Sequence, residues 1–148
     1  MERLLIAAAI VVVVAVVAVV VRRRRPVDVP TQRRFAVPEQ LDRSAFPRPD
    51  APWLVAVFSS ATCDVCQGVV AKAEVLSSDE VAVAEVEYGA DRALHDQYTI
   101  EAVPTTVLAD ARGVVVASFL GPVTATDLWA AVAEARQPGS VPGSCSQH

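Results

Sequence analysis

Charge is missing altogether from Leu4 to Val21, an unbroken run of 18 apolar residues that reads LLIAAAIVVVVAVVAVVV. As a helix rising about 1.5 Å per residue it covers roughly 27 Å, close to the hydrocarbon thickness of a bilayer. Also missing are the two marks of a cleaved secretory signal: a basic segment before the run, where only Arg3 stands next to Glu2, and a small-residue cleavage site after it. Instead Arg22, Arg23, Arg24 and Arg25 follow at once, with Arg33 and Arg34 beyond. Residues 4–21 are therefore expected to be a retained, single-pass membrane anchor. The positive-inside rule then predicts that everything after it faces the cytoplasm, leaving a short N-terminus outside. The arginines also suit anionic headgroups, at about 1 kcal/mol each, so the lipid bilayer is an expected partner.

Cations are scarce once that block is set aside. The whole chain carries a net charge of −4, and the part beyond the arginines is more acidic still. Such a surface repels phosphate, and nucleic acid is not expected among the partners. The anchor also accounts for the 53% hydrophobic composition, which is no sign of a greasy globule. Periodicity is weak after it, and Pro26, Pro30, Pro38, Pro47, Pro49 and Pro52 forbid a long helix. Residues 22–32 read as a basic, proline-rich linker and residues 33–136 as the folded domain. Residues 137–148, rich in Pro, Gly and Ser, read as a flexible tail. No internal repeat is visible.

The domain has a legible order of elements. Trp53–Phe58, WLVAVF, is a short apolar run bounded by Pro52 and Ser59, as expected of a strand buried on both faces. Val69, Val70, Ala73, Val75 and Leu76 recur near a 3.6 spacing, which predicts a helix from about Cys63 to Ser77. Val81–Tyr88 alternates as a second strand, and Asp91–Tyr98 reads as a short polar helix whose His95 is expected at the solvated surface. Thr105–Ala109 and Val114–Leu120 are two more strands. They are joined by DARG, whose Gly113 can take the positive φ of a tight hairpin. Thr124, with Asp127 three residues on, predicts the capped start of a last helix running to Arg136. Phe35–Phe46 adds an edge strand or a short helix. This order makes an α/β domain with a mixed central sheet flanked by helices, preceded by one transmembrane helix.

Chemistry concentrates in SSATCDVCQGV. Cys63 and Cys66 stand two residues apart where the first strand meets the first helix. At a helix N-terminus a sulfur meets free N–H groups and the positive end of the macrodipole, which favour thiolate; Cys63 is the expected nucleophile. Cys66, one turn in and more buried, is placed to resolve a mixed disulfide. Three other readings stand beside this one. The thiols are inert and buried, or they join Cys145 and His148 in a zinc set, or they hand a metal to a membrane protein. Cys145 is expected to be a free tail thiol able to pair with another chain or with Cys63. Trp53 and Trp129 are expected to serve packing, and Asp79 and Glu80 to mark a turn.

The CxxC at the strand-to-helix junction, AVPTT at Ala102–Thr106 and FLGPVTATDLWAAV from Phe119 onward together resemble the thioredoxin family, over roughly residues 33–136. The resemblance implies a thioredoxin-like fold and a membrane-anchored thiol:disulfide oxidoreductase. Its redox group would be the Cys63–Cys66 disulfide itself, with no organic cofactor and no metal. It implies a cis bond at Val103-Pro104 and a substrate-binding strip made by Val103, Pro104, Thr105 and Gly121. The partners would be client protein thiols or disulfides and a second redox protein. Membrane-anchored redox domains of this kind commonly face the oxidising side, so an extracytoplasmic domain is the alternative orientation.

Several positions depart from the family's pattern. Thr62 replaces its tryptophan, Asp64-Val65 its Gly-Pro, Val57 its buried aspartate and Glu85 the lysine partner of that aspartate. Asp64 opposes thiolate at Cys63 by like-charge repulsion. Glu85 would serve as a base if its carboxyl reached the space behind Cys66. The departures predict a narrower substrate range. The competing function is a tethered thioredoxin-fold module for binding or metal delivery with little redox turnover.

Overall fold

The computed structural model describes residues 35–139. The apolar run at 4–21, the linker at 22–32 and most of the tail, Cys145 and His148 included, lie outside the described residues. Among the described residues no helix is long and apolar enough to cross a membrane.

Four strands form one sheet: β1 (Trp53–Ser59), β2 (Val81–Glu87), β3 (Thr105–Asp110) and β4 (Val115–Leu120). Their spatial order is β2-β1-β3-β4. β1 runs parallel to β2 and antiparallel to β3, and β3 runs antiparallel to β4. Helix α1 (Cys66–Glu74) makes the crossover from β1 to β2, and α2 (Arg92–Gln97) and α3 (Ala125–Arg136) follow β2 and β4. This is a thioredoxin-like α/β arrangement with a mixed sheet.

β1 lies between two neighbours and is buried on both faces, which is why its sequence is a continuous apolar run rather than an alternation. Its side chains divide by parity. Val55 and Val57 pack with Val69, Val70 and Ala73 of α1 and with Leu128 and Val132 of α3. Leu54, Ala56 and Phe58 pack on the other face with Leu41, Phe46 and the partly buried Leu94 and Tyr98. Phe58, Leu54, Leu108 and Leu128 are wholly enclosed, each contributing about 1.5–3 kcal/mol by burial.

The turn signals act as their chemistry predicts. Thr124 caps α3: its hydroxyl accepts the N–H of Asp127 at 3.1 Å and donates to the Asp127 carboxylate at 2.7 Å. Gly113 closes the β3–β4 hairpin at φ 82°, where an added Cβ would sit 1.9 Å from Leu41 O. That crowding comes from the segment before β1. Leu41 N–H donates to Gly113 O and Val115 N–H to Glu39 O, so Gln40 bridges to Val114 at the sheet edge. A 3-10 turn follows at Arg43–Ala45, so the Phe35–Phe46 segment supplies both a strand-like bridge and a short helical turn.

Three expectations need correction. Helix α1 begins at Cys66 and not near Cys63, because the chain spends Ser60–Val65 in turns: Cys63 N–H bonds to Ser60 O and Cys66 N–H to Cys63 O. It also ends at Glu74, earlier than Ser77. His95 is not at the surface; it is 2% exposed. The Phe58 and Tyr88 rings stand nearly perpendicular to it, and Nε2 donates to Val86 O at 2.9 Å. Trp129 is 42% exposed rather than packed away, with its indole N–H donating to Lys72 O.

Candidate redox site

The registers gather the candidate residues at one end of the sheet. β1 finishes at Ser59, and the chain turns through Ser60–Val65 into α1, leaving Cys63 and Cys66 above the carboxyl end of that strand. β3 starts at the same end, with Thr105 opposite Phe58, and β4 finishes there, with Leu120 opposite Thr105. Val103, Pro104, Thr105 and Gly121 therefore lie at the same end of the sheet as the cysteines. The Val103–Pro104 peptide bond is cis, and Gly121, at φ 82°, donates its N–H to Pro104 O at 2.8 Å. The space a Gly121 Cβ would occupy is open.

Cys63 and Cys66 are joined as a disulfide. The two residues differ in access: Cys63 is partly exposed, whereas Cys66 is 0% exposed and heads the buried stripe of α1. Exposure of one and burial of the other is what a two-step exchange needs, one sulfur for the incoming chain and one held in reserve. Between them Val65 presents an apolar side chain at 49% exposure, and Leu120 does the same across the site at 46%.

The polar groups behind the pair include residues that sequence reasoning missed. Ser59 is fully buried and its hydroxyl donates to Glu85 Oε1 at 2.6 Å. Gln67 Nε2 lies 3.5 Å from that same oxygen. Glu87 accepts the N–H groups of Gly89, Ala61 and Ala90, and these bonds hold its carboxyl below the usual glutamate value. Thr106, opposite Val57 in the register, has a buried hydroxyl with no hydrogen-bond partner. The only sequence signal for Ser59 and Thr106 is their place in or next to apolar strands, which is equally the signal of a packing residue.

A small pocket of about 190 Å³ adjoins Val103, walled by Tyr88, His95 and Ile100 with Ser60 and Glu101 at its rim. A larger cleft, about 480 Å³, lies between Trp53, Glu80 and Arg136. It is at the amino end of β1, away from the thiols, and has no part in the site.

The fold and the joined pair define a class: a thioredoxin-like domain with a CxxC disulfide, the equipment of thiol:disulfide exchange. Solved structures agree. The chain is 28% identical to a mutant thioredoxin from Halobacterium salinarum, with a TM-score of 0.51 over 59% of this chain and 76% of that one. It is 25% identical to Fasciola hepatica thioredoxin, with a TM-score of 0.50 over 58% of this chain and 83% of that one. A malarial protein, at 16% identity and a TM-score of 0.51, shares the fold over 56% of this chain and 96% of its own. No family model and no curated protein matches the chain.

Proposed function

We propose that the protein is a membrane-anchored thiol:disulfide oxidoreductase acting on protein clients, tethered by residues 4–21 with its domain on the cytoplasmic side. The supporting observation is the asymmetry of the pair: Cys63 is open to a client while Cys66 is enclosed one turn further on. In the reducing direction the Cys63 thiolate attacks one sulfur of a client disulfide. A Cys63–client bond forms and the other client sulfur leaves as thiolate. The Cys66 thiolate then attacks Cys63, closing the intramolecular disulfide and releasing the second client sulfur. The client gains two electrons and the pair loses two. Val103, Pro104, Thr105 and Gly121 would hold the client backbone, a second redox protein would restore the dithiol, and no organic cofactor takes part.

Alanine at Cys63 tests this. Reduction of a protein disulfide should vanish while client binding persists. The second reading, a tethered binding module, is favoured by the exposed Val65 and Leu120 flanking the pair, and it predicts that the same variant behaves as the wild type. Labelling of intact cells with a membrane-impermeant maleimide tests orientation, and rapid reaction at Cys63 would reverse the cytoplasmic placement. Direction follows from the reduction potential of the pair: near about −270 mV the chain is a reductant, near about −120 mV an oxidant.

A further inference from the structure

The pocket beside Val103 touches both halves of the redox site. Ser60, on one rim, accepts the N–H of Cys63 at 3.0 Å, and Val103, on the other side, is joined to Pro104 by the cis bond. At about 190 Å³ the pocket is smaller than the roughly 300–1,000 Å³ of a small-molecule site. It has room for one side chain. A client whose sulfur meets Cys63 brings the residues next to its cysteine to the mouth of this pocket.

The lining decides which side chain fits. Tyr88, Ile100 and Val103 give apolar walls that suit an aliphatic stem. His95 is 2% exposed, and the carbonyl of Val86, 2.9 Å from Nε2, requires the ring proton there. Nδ1 of the neutral ring is then an acceptor, and it has no hydrogen-bond partner among the described residues. Glu101, exposed at the rim, adds a carboxylate that takes part in no ion pair among the described residues. The Ser60 hydroxyl is already shared with Thr62. The pocket thus offers acceptors and an apolar sleeve, with no charged donor of its own. A guanidinium already lies over the Tyr88 ring, that of Arg92 at 5.4 Å, so this aromatic wall tolerates a cation. Arg92 is outside the lining and pairs with Asp96, and Glu87 is held by the N–H groups of Gly89, Ala61 and Ala90. Glu101 remains as the charge at the mouth.

We propose that this pocket receives a lysine or arginine side chain standing close to the client's reactive cysteine, and that Glu101 selects it. The proposal rests on reading Cys63 and Cys66 as an exchanger, and it narrows the clients to proteins whose cysteine lies in a basic stretch. The stem packs against Tyr88, Ile100 and Val103, and the cationic head meets the Glu101 carboxylate. A glutamate in the same place meets a like charge, and a leucine leaves the acceptors without a donor. The acidic surface of the domain favours the same partners during approach.

The test uses the full-length chain carrying Cys66→Ser and Cys145→Ser, so that Cys63 is its single thiol. The substrates are short peptides whose one cysteine carries a thionitrobenzoate and is flanked by lysine, arginine, leucine, glutamine or glutamate. The Cys63 thiolate attacks the peptide sulfur, a mixed disulfide forms and the coloured thionitrobenzoate leaves. At low concentration the lysine and arginine peptides should react at least about tenfold faster than the glutamate peptide, with the difference in the half-saturating concentration and not in the maximal rate. Glu101→Gln should shrink that ratio to about twofold or less, and Glu101→Lys should invert it. Asp64→Asn, which removes a charge outside the pocket, should preserve it. Equal rates for all five peptides overturn the proposal, as does a preference for leucine or a ratio that survives Glu101→Gln. Equal loss of the ratio in Asp64→Asn overturns it too, since a diffuse field and not the pocket would then be selecting. The same peptides with serine for cysteine, bound to the wild type and followed by fluorescence anisotropy, separate the pocket from the chemistry. If they bind with the basic preference while Cys63 attacks none of the activated peptides, the pocket stands and the exchanger reading falls.

Discussion

Glu87 Oε1 accepts the backbone N–H of Ala61 at 3.0 Å, tying the last residue of β2 to the turn that leads into Cys63. Bonds from Gly89, Ala61 and Ala90 lower the Glu87 pKa from its ordinary 4.5. A carboxylate with a depressed folded value contributes stability that is complete above the unfolded value and is lost as pH falls through the folded one. Urea midpoints of the wild type should therefore decline on acidification below about pH 4.5. In Glu87→Gln that part of the decline should be missing, and hydrogen exchange at Ala61 should already be faster at neutral pH. Identical acid slopes in the two proteins would remove Glu87 from this role.

The unequal access of the two cysteines predicts unequal trapping. Cys66→Ser should accumulate a mixed disulfide between Cys63 and a client, because attack proceeds and resolution does not. Cys63→Ser should accumulate none, since Cys66 is enclosed. Non-reducing electrophoresis followed by mass analysis reads both variants. Equal trapping by the two would contradict the assignment of roles.

Replacing His95 removes a buried ring between Phe58 and Tyr88 and deletes its hydrogen bond to Val86 O. A cavity and a lost hydrogen bond add, and His95→Ala should cost about 2–4 kcal/mol in urea denaturation. A cost under about 0.5 kcal/mol, ordinary for a surface site, would show that the ring is not enclosed in solution.

Two glycines should respond in opposite directions. At Gly113 an alanine methyl meets Leu41 O at positive φ, so the substitution should destabilise by more than about 1 kcal/mol and loosen the contact between the N-terminal segment and the hairpin. Gly68 lies within α1 with open space around it. There alanine should stabilise by about 0.5–1 kcal/mol through helix propensity. Thermal unfolding of both variants, side by side, checks the pair.

Much was legible in the sequence because it was local. The apolar run WLVAVF, the alternation in Val81–Glu87, the glycine of the hairpin and the Thr124–Asp127 cap are decided by neighbours within a few residues, and all four elements stand where those signals put them. The cysteines were legible as a pair for the same reason. Which side chains lie beside which is a different matter, set by the packing of elements distant in the chain. A polar octet from Asp91 to Tyr98 hides His95, because α2 lays that one side chain against Phe58 and the end of β2. Helix α1 starts at Cys66 because the turns after β1 use up Ser60–Val65. Ser59 and Glu85 stand 26 residues apart, and no spacing rule joins them. The parallel register of β1 and β2 does, and that register is set by which faces of the two strands must be buried together under α1.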